Sequence, residues 1–167
     1  AAAVLFLVSP VYFVGGGRGD LGIGLKPGND MAAVFFHGEN LQGPVFNNFD
    51  VGGYLTYHLY PKQQIFVDNR PEAYPLLFFR NEYFPLQQKE SYWARRSGEY
   101  GFNVIVFNHR DRSRASEEFI VRRVLDPAWA PVFFDRDIII FVRKHGSNQS
   151  TAEKYELATD QVLTPSN

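Results

Sequence analysis

The sequence predicts an α/β domain built on a small mixed sheet, mainly parallel with an antiparallel hairpin at its C-terminal edge, and with helices on both faces. Three observations point there. Short apolar runs at 45–46, 64–67 and 104–107 alternate with segments of helical periodicity, which calls for crossover connections and parallel pairing. Two further runs, at 132–134 and 138–142, are separated by Asp135-Arg136-Asp137, a polar turn fit for a hairpin. The runs are apolar along their whole length, as expected of strands covered on both sides.

Each element has its own warrant. Asn29 or Asp30 can cap a helix from Met31 to about Asn40, with Met31, Val34, Phe35 and Phe36 as its apolar side and Gly43-Pro44 closing it. After the first strand, Asp50 is placed to cap a helix in which Val51, Leu55 and Leu59 recur every four residues until Pro61. The strand 64–67 ends in a polar loop, and Tyr74 to Tyr100 forms a long aromatic helical region broken near Pro85 and again near 88–91. Gly101 ends it, the third strand follows, and Ser116 caps a helix with Ile120 and Val124 inward, stopped at Asp126-Pro127.

At 167 residues, 45% hydrophobic and 16% aromatic, the chain suits one domain with an ample core. Seventeen basic against eighteen acidic residues leave a net charge of −1, which recommends neither nucleic acid nor an anionic membrane surface. With no cysteine, disulfides and thiolate metal sites are excluded. The apolar run 1–14 reads as the remnant of a last transmembrane helix, although Pro10 interrupts it and a buried strand or helix is the rival reading. Residues 15–28 read as a Gly-rich linker, 29–144 as the domain, and 145–167 as a polar mobile tail in which 152–163 could be helical.

Ligands of such sheets bind beyond the carboxyl ends of the strands, and here all three loops at that edge are polar. The candidate ligand-binding residues are Asn47, Asn48, Asp50, Gly52, Gly53, Asp68, Asn69, Arg70 and Glu72. Gly52 and Gly53 fall in a helix first turn, where each costs about 1 kcal/mol against Ala, so a close backbone approach is expected to require them. The free N–H groups of that turn could receive an acidic group or a sugar hydroxyl. The alternative is structural: Asp50 and Asp68 cap and brace the corner, with Arg70 paired to one of them.

Other motifs carry little. The G-x-G-x-x-G match at 17–22 is followed by Gly24, Pro27 and Gly28 where a nucleotide site needs a helix, and Arg18-Gly19-Asp20 reads as linker. His109-Arg110-Asp111 lacks the rest of a kinase catalytic loop. His37, His58, His109 and His145 have no metal-ligand spacing, so neither a metal nor a cofactor is expected. Glu117-Glu118 and Asp135/Asp137 suit a helix first turn and a hairpin turn. Trp93, Trp129, Phe78, Phe79 and Tyr83 read as core rather than as a sugar-stacking platform, and Asn148-Gln149-Ser150 is formally a glycosylation site. No nucleophile, base and orienting group assemble, so no catalytic residue is assigned.

The stretch from Gly43 to Tyr74, GPVFNNFDVGGYLTYHLYPKQQIFVDNRPEAY, resembles the C-terminal region of bacterial multi-pass membrane proteins related to GT-C-type glycosyltransferases. The blocks FRNEYFPLQ at 79–87, FNVIVFN at 102–108 and DPAWAPVFFDRDIIIFVR at 126–143 extend the resemblance to about 22–144. A more distant similarity is to the soluble domain of oligosaccharyltransferase catalytic subunits. Their Trp-Trp-Asp-Tyr-Gly signature is represented here by Asn48-Phe49-Asp50-Val51-Gly52, without the tryptophans, and their later Asp-Asn by Asp68-Asn69.

The resemblance implies an extracytoplasmic accessory domain of a polyprenyl-phosphate-sugar-dependent glycosyltransferase-like membrane protein, contributing acceptor recognition and not catalytic by itself. Its implied partners are its own membrane domain, an acceptor peptide or glycan, and the polyprenyl-phosphate sugar. The catalytic carboxylate of such enzymes lies in the membrane portion, so none carries over. The alternative is a non-enzymatic structural or interaction domain packed on membrane helices or a partner protein.

Overall fold

In the computed structural model, residues 30–111 and 113–163 are described. The apolar run, the Gly-rich linker with its two motifs, and Asn29 lie outside them.

Four strands form one mixed sheet: β1 (Val45–Asn47), β2 (Val104–Asn108), β3 (Trp129–Phe134) and β4 (Ile138–Arg143), in the order β1-β2-β4-β3. β1 and β2 run parallel, while β4 pairs antiparallel with both β2 and β3. The mixed sheet and the hairpin edge are therefore as expected, with a smaller parallel share. The strand expected at 64–67 is reduced to one parallel bridge, Val45 to Ile65. The reason is a side chain: the Asn47 carboxamide takes the hydrogen bonds of Phe66 and Val67 that a backbone ladder would have taken.

Alternate residues of the strands divide two cores, one on each face. Val45, Val104, Val106, Ile138, Ile140 and Val142 pack with α1 (Met31–Gly38), α2 (Gly52–Leu59) and α7 (Gln149–Tyr155) through Phe36, Leu55, Leu59 and Ala152. Phe46, Ile105, Phe107, Ile139 and Phe141 pack on the other face with Leu86, Trp93, Phe102 and Phe119. The helices there are α4 (Phe84–Gln88), α5 (Glu90–Glu99) and α6 (Arg114–Val124), and α3 (Leu76–Phe78), which precedes them, buries no residue. Helices thus cover both faces, as the unbroken apolar strands required.

Helix ends show which local signals were read correctly. Asn40, at φ 50°, ends α1 with Leu41 N–H donating to Phe36 O and Asn40 N–H to His37 O. Gly101, at φ 66°, ends α5 the same way through Phe102 to Ser97 and Gly101 to Gly98. Two expected caps are corrected. Asp50 lies inside a 3₁₀ turn, Phe49–Val51, that precedes α2, so its side chain does not cap that helix. The cap of α6 is Ser113, whose hydroxyl accepts from Ser116 N–H at 3.3 Å, and Ser116 is buried inside the helix.

The break expected at Pro85 is also absent, whereas the one at Lys89 is present, where the backbone turns extended. A proline inside a helix removes one N–H and clashes with the carbonyl four residues earlier. Here the preceding turn widens into a π-helix, Phe79–Tyr83, with Phe84 N–H donating to Phe79 O. The displaced Asn81 carbonyl accepts instead from Tyr92 Oη at 2.8 Å.

Residues 145–163, expected as a detached tail, dock on the domain as α7 and α8 (Thr159–Leu163). Leu157 N–H donates to Pro131 O at 2.8 Å, and Thr151 and Ala152 are buried. Composition misled because the docking depends on one polar residue. Asn148 is 2% exposed, and its carboxamide accepts from Gln42 N–H at 2.8 Å while donating to Gln42 O and Asn103 O. As the acceptor of the formal glycosylation tripeptide, it is closed to modification in the folded domain.

Candidate functional site

The carboxyl ends of β1, of the 65–67 segment and of β2 meet at one edge, and two adjacent asparagines join them. Asn47 Oδ1 accepts from Phe66 N–H at 3.0 Å and Val67 N–H at 3.3 Å, while Nδ2 donates to Val67 O at 2.6 Å. Asn48 faces the other way. Its Oδ1 accepts from Asn108 N–H at 2.9 Å, and its Nδ2 donates to Asn108 O at 3.0 Å and Asp111 Oδ2 at 3.3 Å. Both asparagines are fully buried, and these bonds hold the three loops together.

The two glycines serve the same corner. A Cβ on Gly52 would stand 2.5 Å from both Asp68 Cα and Val67 O, so α2 approaches the 67–68 backbone as closely as a glycine permits. A Cβ on Gly53 would meet first the Asn69 carboxamide, at 2.8 Å. Asp68 is buried and paired: Oδ1 accepts from Arg70 N–H at 3.1 Å, and Oδ2 accepts from Arg70 Nε at 3.0 Å. These bonds to Arg70 hold its carboxyl below the usual range, against the opposing effect of burial. Asn69, Arg70 and Glu72 are exposed.

Of the nine candidate residues, seven are thus brought to one corner: Asn47, Asn48, Gly52, Gly53, Asp68, Asn69 and Arg70. Asp68 and Arg70 form the brace foreseen in the structural alternative. Glu72 lies on the exposed surface nearby, and Asp50 stands apart.

Immediately beside the corner opens a cleft of about 480 Å³. Phe49, which follows β1, Pro71, which follows the 65–67 segment, and Asp111, which follows β2, line one side, and Phe79, Tyr83, Phe84 and Gln87 from the α3–α4 run line the other. The rings of Phe49, Phe79, Tyr83 and Phe84 form one chain of edge and tilted contacts with centroids 5.4 to 6.1 Å apart. Tyr83 Oη accepts from Phe49 N–H at 2.7 Å, which fixes the β1 loop to the helical wall. Burial first, and then the charges of Asp111 and Asp50, drive the Tyr83 phenol up to about 12, so it stays protonated.

The polar groups of the cleft are unevenly satisfied. Asp111 accepts from Asn48 Nδ2 and from Ser113 N–H at 3.0 Å. Gln87 is 4% exposed, its amide acts on the Tyr83 phenol as a hydrogen-bonding neighbour that opposes the rise, and its Nε2 is sealed from solvent. Asp50 is exposed, and its carboxyl is raised by desolvation and by repulsion from Asp111. Among the described residues neither Asp50 nor Asp111 has an ion-pair partner, in contrast to Asp68 with Arg70 and Asp137 with Arg110.

Sequence reasoning located this edge and missed the cleft. Phe79 and Tyr83 were assigned to the core, and Phe49, Phe84, Gln87 and Asp111 were not assigned to a site. No sequence signal marks Phe84 as different from Phe79 and Tyr83, since its 47% exposure shows only in the structure. No group of three or more His, Asp or Glu able to hold a metal ion occurs among the described residues. No described helix is long and apolar enough to cross a membrane. No family model, curated protein or solved structure matches the chain.

Proposed function

We propose that this chain is the non-catalytic recognition domain of a polyprenyl-phosphate-sugar-dependent, glycosyltransferase-like membrane protein, positioned on the extracytoplasmic side. The membrane context rests on the sequence resemblance alone. The observation that carries the recognition role is the aromatic cleft at the carboxyl edge of β1 and β2, since it is concave, apolar and supplied with a few convergent polar groups. The Asn47, Asn48, Asp68 corner is its rigid foundation, and the acceptor is seated in the cleft itself. Of the hydroxyl and carboxylate neighbours at the cleft, Ser113 caps α6 and Asp111 accepts from Asn48 Nδ2 and Ser113 N–H, and we place the chemistry elsewhere in the protein.

The test is glycosyl transfer by the membrane-embedded protein carrying Phe84→Ala. Phe84 is half-exposed, so its loss leaves the fold intact, and a tenfold or larger fall in acceptor use, roughly the 1.4 kcal/mol of one lost anchor, is expected. Unchanged transfer by a folded variant removes this role. A second reading, a docking domain for membrane helices or a partner, is favoured by Leu76 and Leu77, which are 82% and 62% exposed at the start of α3. Loss of assembly, with acceptor use per assembled molecule retained, in Leu76→Ser with Leu77→Ser would select it.

A further inference from the structure

A second hollow, of about 240 Å³, shares no lining residue with the aromatic cleft. Thr56 on α2, Tyr60 just after that helix, Gln64, and Asp68, Arg70 and Tyr74 from the polar loop line it. Its charge is spent internally: Arg70 Nε and Nη2 both donate to Asp68 Oδ2, so an acid and a base border the hollow as one neutral pair. Much of its hydrogen-bonding capacity is unused. Among the described residues the Gln64 carboxamide, the Tyr60 hydroxyl and Arg70 Nη1 make no hydrogen bond, and all three residues are exposed. The Thr56 hydroxyl donates to Gly52 O at 3.0 Å, which leaves its oxygen as an acceptor. The Tyr60 ring is 74% exposed and offers an apolar face beside these polar groups.

We infer that this hollow binds a neutral saccharide ring. The C–H face of the ring packs on Tyr60, a hydroxyl accepts from Arg70 Nη1, and its neighbour bonds the Gln64 carboxamide, which donates and accepts at once. Guanidinium and amide groups are planar forks that match adjacent hydroxyls, each of them both donor and acceptor. Other classes of ligand fit less well. An anion or a cation gains little from an Asp68–Arg70 pair already neutralised. An extended peptide seeks free backbone groups, and the N–H groups of Phe66 and Val67, next along the chain from Gln64 and Ile65, are held by Asn47 Oδ1. A purely apolar ligand would strip water from Gln64 and Arg70 without replacing it.

The test is a titration of the whole chain with methyl β-glucoside, methyl α-mannoside and methyl N-acetyl-β-glucosaminide, followed by NMR shifts, with acetate and N-acetyl-alanine methylamide as the ionic and peptide controls. Saturable shifts at the Gln64 side-chain amide, Ile65 and Arg70 Nε are expected with at least one glycoside, and binding at least about tenfold weaker in Tyr60→Ala, which removes the stacked ring. Gln64→Ala, at an exposed position, keeps the ring in place and should weaken binding at least about threefold. No saturable shift with any of the glycosides, unchanged affinity in both variants, or equal shifts with either control overturns the assignment. Each of these results leaves the role of the aromatic cleft, read through Phe84→Ala, unaffected.

Discussion

Gly52 is the position where a single methyl group has the largest predictable effect. Because the added Cβ meets backbone atoms at 2.5 Å, nothing nearby can yield cheaply, and Gly52→Ala should cost about 1–3 kcal/mol in chemical denaturation. Gly53→Ala should cost much less, since its obstruction is the end of the Asn69 side chain. Asp68 and Asp50 respond oppositely to pH. Asp68 has a folded pKa lowered by Arg70, so its stabilisation is present above the unfolded value and is lost as pH falls through the folded one. Asp50 has a folded pKa raised by desolvation and by Asp111, so it destabilises the fold at neutral pH, and the penalty fades as pH falls through that raised value. Asp68→Asn should therefore cost about 1–3 kcal/mol at pH 7, whereas Asp50→Asn, being solvent-screened, should stabilise by less than about 1 kcal/mol. Denaturation midpoints at pH 7 and pH 4 check both signs.

Elements were legible in the sequence where a local pattern decides them. The Gly101 stop, the break near 88–91, the hairpin around 135–137 and the third strand needed only periodicity and turn chemistry. The missing break at Pro85 needed knowledge of Tyr92, seven residues ahead on the next helix, whose hydroxyl takes the displaced Asn81 carbonyl. Because that bond is exposed and water can replace it, Tyr92→Phe should cost less than about 1 kcal/mol. The docked segment 145–163 was illegible for a similar reason, since its anchor partners lie about 106 and 45 residues away. Asn148→Ala should cost about 1–3 kcal/mol by leaving Gln42 and Asn103 backbone groups unpaired. Intact mass measurement after expression in a glycosylating host should find Asn148 of the folded protein unmodified.

For the whole molecule, the predicted class followed from the alternation of apolar runs and helical segments, and the edge at which the cleft opens followed from topology alone. What topology could not supply was the identity of the lining. An aromatic residue in a helix reads as core whether its ring packs on the sheet, as Trp93 does, or walls a cleft, as Phe84 does, because periodicity gives a face and not a depth. The loop asparagines were ambiguous in the same way. Asn47 and Asn48 are common binding residues, yet both are committed to backbone groups of neighbouring segments, which only the packed structure reveals.

The treatment of the two outer strands limits how the protein can associate. On β1, the 65–67 segment bridges at Val45 and is held alongside by the Asn47 carboxamide, which bonds the Phe66 and Val67 backbone. On β3, Pro131 has no N–H to offer and its carbonyl is taken by Leu157, beside a register shift between Pro131 and Phe133. Each margin of the sheet is therefore partly covered, which makes it a poorer template for edge-to-edge pairing than a bare strand.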